Sequence, residues 1–186
     1  IGILTILFYS ADPQIYPDSN RYLNGNLYDP PMYSTIIAIM QLVFGSLNSV
    51  VVLQTLFIGF SIINFTRTVA VLFKLDLTIK ILVSIFLFLP VIQFYRHLLT
   101  EPFCYAFSLL FVSFVFRLIL NFNYQNLIWS SCSVVFLLLT RNQFIFLYPV
   151  IIILYIGILM LNNSKKKSWL LISFISIFLI HNTLIN

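Results

Sequence analysis

The segment FYRHLLTEPFCYAF, residues 94–107, sets Arg96, His97, Thr100 and Glu101 inside otherwise apolar sequence, between Pro90 on one side and Pro102 on the other. Glu101 is the sole glutamate among five acidic residues in 186. A carboxylate can serve as general base toward a hydroxyl. Cations can hold a phosphate and stabilise the charge that develops on it as a leaving group. Side chains of the same types recur in SADPQIYPDSNRYLNGNLYDPP (10–31), which carries Asp12, Asp18 and Asp29, and in LLLTRNQF, which carries Arg141. No Gly-rich phosphate loop, G-x-S-x-G elbow or His/Cys metal spacing is present. Cys104 and Cys132 fall in separate apolar segments and give no disulfide framework.

Each of these residues also has a plainer use. Asp18 would N-cap a short helix, and Asp29 before Pro30 and Pro31 suits a turn. Arg96 and Arg141 would snorkel to headgroups, and His97 would sit at an interface. For Glu101, Thr100 would cap a helix, Glu101 would favour its first turn through the helix dipole, and Pro102 fits that turn. A neutral residue would start the helix nearly as well, so the charge of Glu101 points beyond capping. Arg96 and His97, five and four residues away, are its nearest partners in sequence.

The elements that must position these groups follow from composition. The chain is 61% hydrophobic and 8% charged, with mean hydropathy +1.03. Soluble domains carry about 25% charged residues, so this is the composition of an all-α, multi-pass membrane protein. The net charge of +5 is spread singly at the ends of apolar runs, apart from Lys165, Lys166 and Lys167, and so reads as membrane orientation and not as nucleic-acid binding. The chain begins at Ile1 with a nine-residue apolar run, which reads as the end of a span within a longer protein. Residues 1–9 are thus a partial first span, 10–31 a loop, and 32–47 a juxtamembrane helix. At 1.5 Å per residue that helix reaches roughly 24 Å, short of the ~30 Å hydrocarbon core. Further spans are expected at about 48–73, 78–96 with a kink at Pro90, 101–120, 126–140, 143–161 and 168–185.

If 32–47 does not cross, the loop 10–31, residues 96–101 and Arg141 share one side. Lys74, Lys80, Arg117 and Lys165 to Lys167 then share the other, six basic residues against three (Arg21, Arg96, Arg141). The positive-inside bias makes the first side extracytoplasmic. That side also collects Asp12, Asp18, Asp29 and Glu101, charges of both signs at one surface, which implies a polar cavity opening there.

In order, PDSNRYL, DPPMYSTIIAIMQLVFG, VVLQTLFIGF, LPVIQFYRHLLTEPFCYAFSLL and LLLTRNQFIFLYPV resemble the integral-membrane GT-C glycosyltransferases. The similarity is to the bacterial protein-mannosyltransferase-like and aminoarabinose-transferase-like branch. It covers nearly the whole chain; LLTEP is its most specific stretch. The resemblance implies a polyprenyl-phosphate-linked sugar as donor and a glycan, lipid or protein as acceptor. It implies transfer at the outer face of the bacterial inner membrane, with membrane lipid as the other partner. The first-loop acid would be the base: Asp18 by its spacing to Tyr22, with Asp12 as the alternative. Tyr22, Arg96, His97, Glu101 and Arg141 would line the substrate site, Arg141 toward the donor phosphate. No cofactor is implied, and a divalent metal is left open. The rival classes are a non-enzymatic transporter or flippase of lipid-linked glycans, which needs charge deep in several helices, and a scaffold subunit with no site.

The orientation is testable directly. Single cysteines at Asn24 and Ser164 should label from opposite faces of the membrane; labelling from one face would remove the topology.

Overall fold

The computed structural model describes residues 13–25 and 29–161. The partial span 1–9, Asp12, Lys165 to Lys167 and the span expected at 168–185 lie outside them. The described residues are helical, with no strand beyond an isolated bridge between Gln14 and His97. In chain order the helices are α1 (Pro17–Leu23), α2 (Pro31–Phe44), α3 (Asn48–Phe73), α4 (Leu77–Phe88), α5 (Val91–Phe94), α6 (Glu101–Leu120), α7 (Tyr124–Thr140) and α8 (Tyr148–Leu161). A 3-10 helix, Asn142–Leu147, precedes α8.

Three segments are long and apolar enough to cross a bilayer: Asn48–Phe73, Leu77–Phe94 and Glu101–Leu120. This is the character of a membrane protein. The clearest sign is α4, which buries none of its residues. Leu82, Ile85 and Phe86 stay more than half exposed on it. A helix apolar on every side is stable only where its surroundings are apolar too. The second of these segments is broken. Pro90 has no N–H to give the helix, and Ile92 and Gln93 bond back to the carbonyls of Leu89 and Pro90 instead. The chain therefore turns at Leu89–Pro90 before the short α5.

Helix α6 is the centre of the bundle, packed between α3 and α7. Phe103, Ala106, Phe107, Leu110, Phe114 and Leu118 are all buried along it. Helix α2 lies against α3 and α7. It inserts Tyr33 and Ile37 into a cluster with Val50, Val51, Phe103 and Leu137. Over 142–161, which the apolar run presents as a single segment, the chain makes its 3-10 turns first. Pro149 then sits at the second position of α8, where a missing N–H costs no helix bond.

Gly45 ends α2 in the left-handed region, φ 66°. A Cβ there would meet nothing within 4 Å, so the backbone conformation alone penalises a side chain. Gly59, inside α3, also has open space around it. Gly45→Ala should destabilise by about 1 kcal/mol, while Gly59→Ala should stabilise by about 0.5–1 kcal/mol. Thermal melts followed by helical ellipticity in detergent should move in opposite directions.

Candidate functional site at the Glu101 end of the bundle

The α5–α6 connector and the first loop are tied together through their backbones. Gln14 donates to the Arg96 carbonyl at 3.0 Å and accepts from the Leu98 N–H at 3.2 Å. Beneath them, the fully buried Gln54 of α3 donates from Nε2 to the carbonyls of Tyr95 (2.5 Å) and His97 (3.2 Å). These bonds hold an irregular backbone against an apolar bundle, where free carbonyls would be costly.

On this platform the charged side chains pair across helices. Arg141, at the C-terminal cap of α7, donates from a terminal guanidinium nitrogen to Glu101 Oε1 at 2.7 Å. Helices α6 and α7 run antiparallel, so the start of one and the end of the other meet. Arg96 instead lies with its guanidinium 5.5 Å from the Tyr95 ring centroid. The Nε2 of His97 is 3.1 Å from the Tyr16 hydroxyl, with the two rings edge to face. Neither local neighbour pairs with Glu101. Thr100 occupies the N-cap of α6, but its side chain makes no cap and is hydrogen-bonded to Tyr22.

The three loop acids separate in the structure. Asp29 has a side chain only 10% exposed and accepts from Arg21 at 2.7 Å. Asp18 is exposed in the first turn of α1 and pairs with none of Tyr22, Arg96, His97, Glu101 or Arg141. Nor does Asp18 cap α1. Ser19 takes that part, its hydroxyl accepting from the Tyr16 N–H at 2.9 Å. Asp12 lies outside the described residues.

Between these pairs stand two tyrosines, edge to face with ring centroids 5.2 Å apart. Burial pushes the Tyr22 phenol up, opposed by its hydrogen bond with Thr100; Asp29 and Glu101 push it further up and Arg141 draws it down. Burial also raises Tyr33 strongly, with smaller contributions from Tyr22 and Glu101. Both therefore stay protonated hydroxyls at neutral pH. The Tyr33 hydroxyl, Glu101 Oε2, Asp29 Oδ2, Arg96 Nε and Gln54 Oε1 are buried atoms with no hydrogen-bond partner among the described residues. Buried polar atoms are nearly always paired, and here five unpaired ones share a single end of the bundle. They are acceptor oxygens of Glu101, Asp29 and Gln54, the Tyr33 hydroxyl and the Arg96 Nε.

Sequence reasoning named Tyr22, Arg96, His97, Glu101 and Arg141 and gave no role to Tyr33, Tyr16 or Gln54. A lone glutamine in the apolar run VVLQTLF was the available signal for Gln54. Among the described residues, no three of His, Cys, Asp and Glu group as metal ligands. No family model, curated protein or solved structure matches the chain.

The Glu101 and Arg141 side chains are 42% and 36% exposed, so solvent screens the pair. It should contribute at most about 1 kcal/mol to stability. A double-mutant cycle with Glu101→Gln and Arg141→Gln, read by thermal unfolding, should give a coupling energy of that size. Full additivity would show that the two groups do not interact.

Proposed function

We propose that this chain is part of a multi-pass membrane glycosyltransferase. It would move a sugar from a polyprenyl-phosphate donor to an acceptor hydroxyl on the extracytoplasmic face of a bacterial plasma membrane. The observation that carries this reading is the Glu101–Arg141 pair, set beside the buried hydroxyl of Tyr33 and the unpaired second oxygen of Glu101. A carboxylate, a cation and neutral donors thus converge at one end of a lipid-facing bundle. A donor with a long apolar tail would reach that end from the bilayer. The positive-inside count supports its being the outer end, and the order of segments similar to the GT-C family supports the reaction.

In this reading the acceptor hydroxyl gives its proton to a first-loop carboxylate, and its oxygen attacks the anomeric carbon. The bond from that carbon to the phosphate oxygen breaks, and the electron pair leaves with polyprenyl phosphate. Arg141, oriented by Glu101, offers its guanidinium to the departing phosphate. Asp18 is the base. Asp29 is held by Arg21, whereas the Asp18 carboxylate is exposed and forms no ion pair among the described residues. Tyr22, fixed as a hydroxyl, orients the sugar, with the buried Tyr33 ring packed edge to face against it. A transport path is less well supported. Between Glu101 and Arg117, α6 packs into the bundle through Phe103, Phe107, Leu110 and Phe114, and no acid or base follows Glu101 until Arg117.

Asp18→Asn keeps the shape and most hydrogen bonds of the side chain but cannot accept a proton. In the intact protein it should lower transfer of labelled sugar by about 10²–10⁴-fold while leaving membrane insertion unchanged. Asp29→Asn should be mild, and Glu101→Gln intermediate. Loss of turnover in Asp12→Asn with Asp18→Asn nearly normal would move the base to Asp12. Indifference to both would remove the glycosyltransferase reading.

A further inference from the structure

A second site lies toward the other end of α6. A cavity of about 470 Å³ opens between α3, α6 and α7, within the range that takes small molecules. Its walls are aromatic: Phe60, Phe107, Phe114, Trp129 and Phe136. Phe60 and Trp129 are at least half exposed and Phe136 nearly so, so the cavity opens through apolar side chains that would face lipid. Its polar end is built from Asn64, Arg117, Gln125 and Asn126.

Arg117 is the notable group. Its guanidinium donates from Nε to the Thr68 hydroxyl at 2.9 Å and from a terminal nitrogen to the Asn64 side-chain oxygen, and it lies 5.3 Å from the Phe114 ring centroid. All these partners are neutral. Thr68 is held in turn by Ser113 at 2.7 Å. Arg67 adds a second positive charge nearby. Among the described residues no carboxylate forms an ion pair with either arginine. Asp29 and Glu101 are paired elsewhere and Asp76 caps α4. Asp18 is on α1 at the far end, and Asp12 lies outside the described residues. Residues 162–186 contain no Asp or Glu.

Distance gives the shape of the occupant. Arg117 is sixteen residues from Glu101 along α6, roughly 24 Å, so the cation belongs to the opposite membrane surface. From Arg117 to Phe107 is roughly 15 Å, half of a ~30 Å hydrocarbon core. An anionic head at Arg117 with an acyl chain along the aromatic walls would therefore lie within one leaflet, its tail toward the bilayer centre. We propose that this cavity binds an anionic phospholipid from the leaflet opposite the Glu101 surface, its phosphate on Arg117. The inference requires only that α3, α6 and α7 sit in a bilayer, and it stands whether or not the chain transfers sugar.

These 186 residues contain two tryptophans, and in this chain Trp169→Phe leaves Trp129 at the cavity mouth as the reporter. The full chain is reconstituted in phosphatidylcholine with increasing brominated phosphatidylglycerol or, separately, brominated phosphatidylcholine. Half-quenching should need roughly fivefold less brominated phosphatidylglycerol, as a favourable ~1 kcal/mol per basic contact implies. Arg117→Gln should abolish the preference and Arg117→Lys should retain part of it. Should Arg117→Gln not fold, Cys132→Phe, which fills the cavity and keeps the arginine, should also reduce quenching. Equal quenching by the two lipids in the parent protein overturns the proposal. So does a preference that survives both Arg117→Gln and Cys132→Phe. Unlabelled undecaprenyl phosphate relieving the quenching at far lower mole fraction than unlabelled phosphatidylglycerol would overturn the phospholipid assignment.

Discussion

Everything at the Glu101 end rests on Gln54. The connector between α5 and α6 is irregular, and its carbonyls point into the bundle, not out to water. One amide, buried on α3, bonds two of them. With residues 95–97 fixed, the next segment can pair with Gln14, and Glu101 can begin α6 in register with the end of α7. Replacing this amide with an apolar side chain would leave two carbonyls unmet, each worth about 1–3 kcal/mol to desolvate. The site thus depends on a residue that would touch no substrate. It also depends on α2, whose Tyr33 packs edge to face against both Tyr22 and Phe103 and so fixes the loop helix to the bundle.

The long apolar helices were legible because their signal is local. Runs of the right length over 48–73 and 101–120 appear as α3 and α6, and the missing N–H of Pro90 breaks the chain where proline must. The partner of Glu101 was not legible, because nearness in sequence suggested Arg96 and His97. Four residues would bring His97 onto the face of Glu101 only if the helix continued back through it, and five would leave Arg96 off that face even then. The helix does not continue: α6 starts at Glu101, and residues 95–100 form turns and bends with one isolated bridge from His97 to Gln14. Arg141 is 40 residues away. The antiparallel hairpin of α6 and α7 brings it to Glu101, so element order held that contact and residue spacing did not.

The loop acids teach a related point. Asp18 stands in a sequence suited to a cap, PDSNRYL, and Asp29 in one suited to a turn. In the structure a serine makes the cap, and the turn residue is the more buried acid, held by Arg21. Side-chain burial is set by what packs on a loop. In this chain that is α2 and the connector, neither of which can be read from the loop itself.

The two ends of α6 differ in how charge is met, and the difference separates two kinds of site. At Glu101 the opposite charges come from this chain, and the atoms left over are neutral hydroxyl and amide oxygens, second carboxylate oxygens and a guanidinium edge. Such a surface suits a ligand that is largely neutral and rich in hydroxyls, with charge appearing only as a bond breaks. At Arg117 the cation is met, among the described residues, by neutral oxygens alone. Those hydrogen bonds orient the guanidinium but leave its charge uncompensated in a medium where it is costly. A site of the first kind favours the change of charge during a reaction over resting affinity. A site of the second kind gains most from a ligand that brings a full negative charge and keeps it. The proposed reaction chemistry therefore fits the Glu101 end, and the proposed stable occupancy the Arg117 end.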